Sequence, residues 1–141
     1  DLCQAEQFIS MGYLQYFRSR QLIQFTTSGH PPLLLWRATD KKFEALSTSD
    51  PLLGIDVRAV FREKKMVVAK GDVLVLYTDG VTEATNEHGD RFGVERLMAT
   101  VADATHGTSQ QIADVIVEGV SAFIDPRPSR DDITTLVLKI V

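Results

Sequence analysis

Hydrophobic and polar positions alternate through the first third of the chain and then change period. Residues 8–17 carry aromatic and aliphatic side chains in partial alternation, Arg18-Ser19-Arg20-Gln21 interrupts them, and 22–27 resumes the pattern, which predicts a β-hairpin. Gly29-His30-Pro31-Pro32 breaks it, because two prolines forbid helix and push the chain into an extended exit. Residues 33–37 then read as a strand, Asp40-Lys41-Lys42 as a polar turn and 43–46 as a short partner strand. Thr48-Ser49-Asp50-Pro51 is a loop, and 51–55 crosses over the sheet with Gly54 permitting a turn. Val60, Met66 and Val68, with charges between them, predict a strand over 57–69 bent near Glu63-Lys64-Lys65. After the turn at Lys70-Gly71-Asp72, residues 73–78 are an unbroken apolar run, expected of a central strand buried on both faces.

Beyond that run the period lengthens. Residues 79–90 show no repeat and hold Gly80, Asn86 and Gly89, which predicts a loop. Val94, Leu97, Met98, Val101 and Ala102 recur at helical spacing within 92–104. A second helix starts near Thr108 or Ser109, either of which suits an N-cap, with Ile112, Val115, Ile116, Val120 and Phe123 as its apolar stripe. Asp125-Pro126-Arg127-Pro128 stops that helix, and 133–141 forms a closing strand. Strands followed by a helical pair predict an α+β fold, with antiparallel sheet layers and helices on one side. No repeat, low-complexity stretch or linker divides residues 1–141, so one structural unit is expected.

Composition narrows the function classes. A chain of 141 residues with 44 % hydrophobic and 24 % charged residues can build a core of its own. Fifteen basic against nineteen acidic residues leave a net charge of −4 and no basic block, which argues against nucleic acid as a partner. The single cysteine, Cys3, excludes an intrachain disulfide and a thiolate metal site, and fits a reducing, cytoplasmic setting. Apolar runs such as 73–77 are far too short to span a bilayer, so no membrane contact is expected of this segment.

The candidate chemistry sits at the ends of two apolar runs. The first ends in Asp79-Gly80, and Asp131-Asp132 opens the last. Carboxylates delivered together from two strands repel unless a cation lies between them, and an all-oxygen site suits Mg²⁺ or Mn²⁺. The other use of Asp-Gly is as an ordinary turn.

Four separated words extend this pattern: Ser28-Gly29-His30-Pro31-Pro32, Pro51-Leu52-Leu53-Gly54-Ile55, the stretch from Leu74 through Thr78-Asp79-Gly80 to Ala84 with Arg91-Phe92-Gly93, and Ser129-Arg130-Asp131-Asp132-Ile133-Thr134. In this order they resemble the metal-dependent type-2C protein phosphatases, and within them the bacterial branch named for the sporulation stage II E phosphatase. The resemblance implies part of a four-layered αββα sandwich. It also implies hydrolysis of phosphoserine or phosphothreonine by water activated at Mn²⁺ or Mg²⁺, on a phosphorylated regulator such as an anti-sigma factor antagonist. Carried over by motif, Asp79 and Asp131 are metal ligands, and Gly80 lets backbone pass close to the metal waters. Asp132 either orients Asp131, binds the metal through water or starts the strand; Arg130 either attracts phosphate or pairs with the acidic cluster. His30 reads as a turn residue, and no residue of this chain is expected as a general acid.

The family's first metal-binding word, an Asp-Gly or Gly-Asp followed by Gly-His-Gly, is missing. Residues 1–141 are therefore expected to be the C-terminal two-thirds of a phosphatase domain, with a sensory domain upstream in the intact polypeptide and a tendency to self-associate through open sheet edges. A non-catalytic binding module and an inactive fragment stand as the other two readings.

Overall fold

The strand and helix periods resolve, in a computed structural model that describes residues 8–124 and 131–141, into two antiparallel sheets and a helical layer. In chain order the elements are β1 (Met11–Phe17), a short 3-10 turn (Arg18–Arg20), β2 (Leu22–Ser28), β3 (Leu33–Arg37), β4 (Lys42–Leu46), β5 (Lys64–Val67), β6 (Val73–Tyr77), α1 (Asp79–Thr82), α2 (Gly93–Ala104), α3 (Ser109–Ile124) and β7 (Thr135–Lys139). One sheet has the order β1-β2-β5 and the other β4-β3-β6-β7.

Side-chain alternation decides what each face of the four-stranded sheet meets. Leu34, Val73, Val75 and Tyr77 point to one side and share a core with Leu97 and Val101 of α2 and Ile112, Ile116 and Val120 of α3. Leu33, Leu35 and Leu74 point to the other side and meet Ile23 and Phe25 of β2 in the three-stranded sheet and Val68, the residue after β5. The result is a β–β–α stack in which the four-stranded sheet is the middle layer, and β6 is buried on both faces as its unbroken apolar run requires. Each fully buried aliphatic side chain in these two cores contributes about 1.5–3 kcal/mol of burial.

Several elements differ from the sequence reading. Residues 57–63 form no strand; only Lys64–Val67 pairs, against β2, because Arg62 is drawn away to Asp50. Residues 79–90 are not all loop, since Asp79–Thr82 make a helical turn closed by the Glu83 amide on the Asp79 carbonyl at 2.7 Å. Strand β1 starts at Met11 rather than at residue 8, and β7 spans Thr135–Lys139 rather than 133–141. On α3 the stripe is Ile112, Ile116, Val120 and Ile124, and Val115 is 39 % exposed, because a strict four-residue step carries the stripe away from position 115. Thr108 is the N-cap: its hydroxyl accepts the Gln111 amide at 3.2 Å while the Gln111 side chain accepts the Thr108 amide at 2.8 Å, a reciprocal capping box. The stop at Asp125-Pro126-Arg127-Pro128 and residue Cys3 lie outside the described residues.

Buried polar groups are tied where loops meet strands. Asp72, 1 % exposed, precedes β6 and accepts from Ala38 N, Ala69 N and Arg37. Asp50, after the Thr48-Ser49 turn, receives the Arg62 amide at 3.0 Å and its Nε at 2.8 Å. Hydrogen bonding from Thr48, together with Arg62, outweighs burial and holds the Asp50 carboxyl below its ordinary range. A carboxyl lowered in the folded state contributes stability above its unfolded value, near 3.8, and that contribution is lost as pH falls through the folded value. Asp50→Asn is therefore expected to lower the urea midpoint at pH 7 and to lose less stability than the parent between pH 4 and pH 2. Parallel midpoint-versus-pH curves for the two proteins would contradict this account.

Candidate functional site

At one edge of the middle sheet the end of β6 and the approach to β7 are laced together. The Thr78 amide donates to the Thr134 carbonyl at 3.1 Å, the Thr134 amide donates to Thr78 Oγ1 at 3.1 Å, and that hydroxyl donates to the Asp132 carbonyl at 2.9 Å. A threonine at 78 thus extends the β6–β7 register, Tyr77 opposite Thr135, past the last ladder pair. Asp79 follows at once as the first residue of α1, exposed, with Oδ1 accepting the Gly80 amide at 3.0 Å.

Gly80 is buried for want of space rather than for an unusual backbone. A Cβ at this position would stand 2.5 Å from the Asp132 carbonyl oxygen and 3.3 Å from Asp131 Cβ. The turn carrying Asp79 therefore lies directly against the segment carrying Asp131 and Asp132, and the two acidic words the sequence separates by some fifty residues become neighbours. The Asp131 and Asp132 side chains are exposed, and Asp132 serves the lacing through its backbone carbonyl. Among the described residues no group of three or more His, Cys, Asp or Glu side chains is placed so as to hold a metal ion by itself.

His30 reaches the same edge from the connection between β2 and β3. Its ring does not turn back on its own loop: a Cβ on Gly12 of β1 would lie 2.9 Å from His30 Cδ2, so the imidazole rests on the β1 backbone. Burial pushes the His30 imidazole below its ordinary value, while the charge of Asp79 works in the opposite direction. The sequence reading missed this placement. Its signal was Gly12 itself, a glycine inside an alternating strand, which marks close approach of another group.

Other polar residues are engaged elsewhere. Glu83 pairs with Arg91 at 2.9 Å, and Asn86 organises its turn by accepting the His88 and Asp90 amides. His106 sits at the α2–α3 turn with Asp103, Asp114 and Glu118, away from Asp79. Arg127 and Arg130 lie outside the described residues.

With this geometry in hand, comparison with known proteins is specific. The stage II sporulation protein E (SpoIIE) family matches residues 1–141, and the chain belongs to it. The phosphoserine phosphatase RsbU of Bacillus subtilis is 27 % identical over 137 residues, covering 96 % of this chain and 40 % of that protein. The SiaA-PP2C domain of Pseudomonas aeruginosa superposes with a TM-score of 0.82 at 22 % identity, over 95 % of this chain and 52 % of that one. The phosphatase domain of the cell fate determinant SpoIIE from Bacillus subtilis, presoaked with Mn, gives 0.72 at 18 % identity, over 93 % and 56 %. The α+β architecture is thus that of PP2C domains, and the chain spans 40 % of RsbU and little more than half of the two solved structures. No helix among the described residues is long and apolar enough to cross a membrane.

The close fit of Gly80 makes a direct test possible. In Gly80→Ala the new methyl meets backbone and must push the Asp131-Asp132 segment outward, an overpacking that costs about 1–3 kcal/mol. Thermal unfolding should show the loss, and the Thr134 amide, held by Thr78, should exchange faster with deuterium while amides in the middle of β7 keep their protection. An unchanged Thr134 exchange rate would mean that the two segments are not in contact.

Proposed function

We propose that this chain forms part of a metal-dependent protein phosphatase that hydrolyses phosphoserine or phosphothreonine on a bacterial signalling regulator of the anti-sigma factor antagonist type. The observation that carries the reading is the lacing of Thr78-Asp79-Gly80 to Asp131-Asp132 and Thr134, which sets two carboxylate-bearing segments side by side at an open sheet edge. SpoIIE family membership and the PP2C architecture support it.

The donors suit a hard divalent cation. Asp79 and Asp131 offer anionic oxygens, and no sulfur or histidine set competes with them among the described residues. Mg²⁺ is content with one or two carboxylates, water and phosphate oxygens. We assign Asp79 and Asp131 as the residues that hold the ion, with Asp132 and the Gly80 backbone beside them. When bound, such an ion lowers the pKa of a water and neutralises charge on the phosphoryl group. The chain's own part is to fix the carboxylates: Thr78 anchors both segments, Gly80 lets them approach, and the buried β6 behind them prevents recoil. Arg130, next to the acidic pair in sequence, is assigned to drawing the substrate phosphate in.

Two carboxylates make a partial ligand set, so further oxygen donors complete the site in the working enzyme. The same partial set supports the second reading, a phosphatase-like module that binds phosphoprotein without turning it over. One experiment separates them. In the intact polypeptide, Asp79→Asn and Asp131→Asn should each cut Mn²⁺-dependent hydrolysis of a phosphoserine peptide by about 100-fold or more, the scale of losing a major electrostatic element of a catalytic site. Circular dichroism should be unchanged. Full turnover in both variants at saturating Mn²⁺ would make the carboxylates structural, and absence of turnover in the parent would favour the binding module.

A further inference from the structure

The segment that follows β4 leaves the middle sheet at the same edge as Asp79. Strand β3 starts at this edge, with its first residue Leu33 opposite Leu46, the last of β4, and with Leu34 opposite Val75 near the end of β6. Strands β4 and β6 therefore end on either side of β3, about 10 Å apart at two inter-strand spacings. Beyond Leu46 the chain is tied to the end of β2. Thr27 and Thr48 each donate an amide to the other's hydroxyl, at 3.0 and 2.9 Å, and the Gly29 amide donates to the Asp50 carbonyl at 3.0 Å.

From this base residues 50–62 loop outward. The buried Asp50 carboxylate accepts the amide and Nε of Arg62, so the first and last residues of the loop are bonded to each other. Leu53 exchanges backbone hydrogen bonds of 3.1 and 2.9 Å with Ile9. At the tip Asp56 accepts the Arg58 amide on Oδ1 at 2.8 Å and the Ala59 amide on its carbonyl at 3.0 Å. A loop closed at its base and turned at its tip is of the Ω kind, a form that proteins use to present side chains at a fixed place. Here the side chains presented are apolar: Ile55 is 53 % exposed, Val57 fully exposed and Val60 80 % exposed. Such a concentration of exposed aliphatic groups marks a contact surface.

Charge identifies what the surface meets. Residues 56–65 hold Arg58, Arg62, Lys64 and Lys65 against Asp56 and Glu63, a net +2 in a chain of net −4. The site edge carries Asp79, Asp131 and Asp132, which repel a phosphate dianion as it approaches. A basic strip beside that edge offsets the repulsion for a phosphorylated partner. A second copy of the chain in a two-fold contact would instead set strip against strip and oppose like charges.

We infer that residues 54–61 are the docking surface for the phosphoprotein substrate. Ile55, Val57 and Val60 seat on an apolar patch of its folded surface and Arg58 on an acidic one, while its phosphoserine reaches the edge that carries Asp79 and Asp131. The inference rests on the phosphatase reading above. It adds that the partner is recognised as a folded protein, at a place apart from the phosphorylated residue.

The test compares two substrates of the intact polypeptide: a serine-phosphorylated anti-sigma factor antagonist, and the short peptide that spans its phosphoserine. Val57→Asp combined with Val60→Asp should raise KM for the protein about 10-fold to 100-fold, as expected when central apolar contacts of an interface are lost. The kcat for the protein should hold, and kcat/KM for the peptide should stay within about twofold of the parent, since surface changes away from a site leave it intact. Arg58→Glu, at a side chain 88 % exposed, should act in the same direction on the protein alone, more at low salt than at high. The thermal midpoint should not move in either variant. An unchanged KM for the protein would overturn the docking role, and so would an equal fall on protein and peptide, which would mean that the loop acts through the site. A lowered midpoint would place the tip against another segment of the same polypeptide. Light scattering that shows a parent dimer dissociated by the double variant would place it against a second copy; either result replaces the docking role. If the parent turns over neither substrate, the phosphatase reading itself fails and this inference falls with it. If Asp79→Asn abolishes turnover of both substrates while the loop variants alter neither, the site stands and docking alone is refuted.

Discussion

Burial of one strand on both faces governs this structure. Val73, Leu74 and Val75 of β6 are wholly excluded from solvent because helices cover one side of the sheet and the other sheet covers the opposite side. Polar chemistry has no place along such a strand and is pushed to its two ends. Each end carries an aspartate, and the two are treated in opposite ways. Asp72 is buried and satisfied by Ala38 N, Ala69 N and Arg37, so its charge is consumed in holding hairpins together. Asp79 is exposed, and its Oδ1 accepts the amide of the next residue, Gly80. A carboxylate saturated by donors is structural, and one left exposed beside a second acidic segment is what the proposed cation site requires.

Much of this was legible in the chain. The unbroken run 73–78 announced a strand buried on both sides, and the helical stripes of α2 and α3 announced the layer that covers it. The family resemblance added the expectation that the Asp79 and Asp131 segments belong to one site; the structure sets those segments side by side, which periodicity alone could not supply because the two words lie on opposite sides of both long helices. What escaped was short or long-range. Four residues of α1 are too few for a 3.6-residue repeat to show. Division of the strands into two sheets depends on pairs such as Phe25 with Lys64, which no local pattern encodes. The expected strand at 57–63 failed because Arg62 found a better use for its amide and guanidinium at Asp50 than a ladder offers. The place of His30 was visible only as an unexplained glycine at position 12.

The lacing of Thr78 to Thr134 also has a temporal meaning. Its partners are separated by the whole of α2 and α3, so closing it early would impose the entropy of a long open loop. Local contacts form sooner, and the helical pair docked on β6 shortens the distance that remains. Lys139 then grips the Thr105 and Gly107 carbonyls at 2.8 and 2.6 Å, tying β7 to the turn between those helices. The acidic edge is therefore assembled as a late event of folding, and a chain that stalls with its helices formed but β7 undocked carries Asp79 without its neighbour. On the proposed reading of Asp79 and Asp131 as ion ligands, such an intermediate would have no cation site to fill, and metal loading would become a checkpoint that only the finished molecule passes.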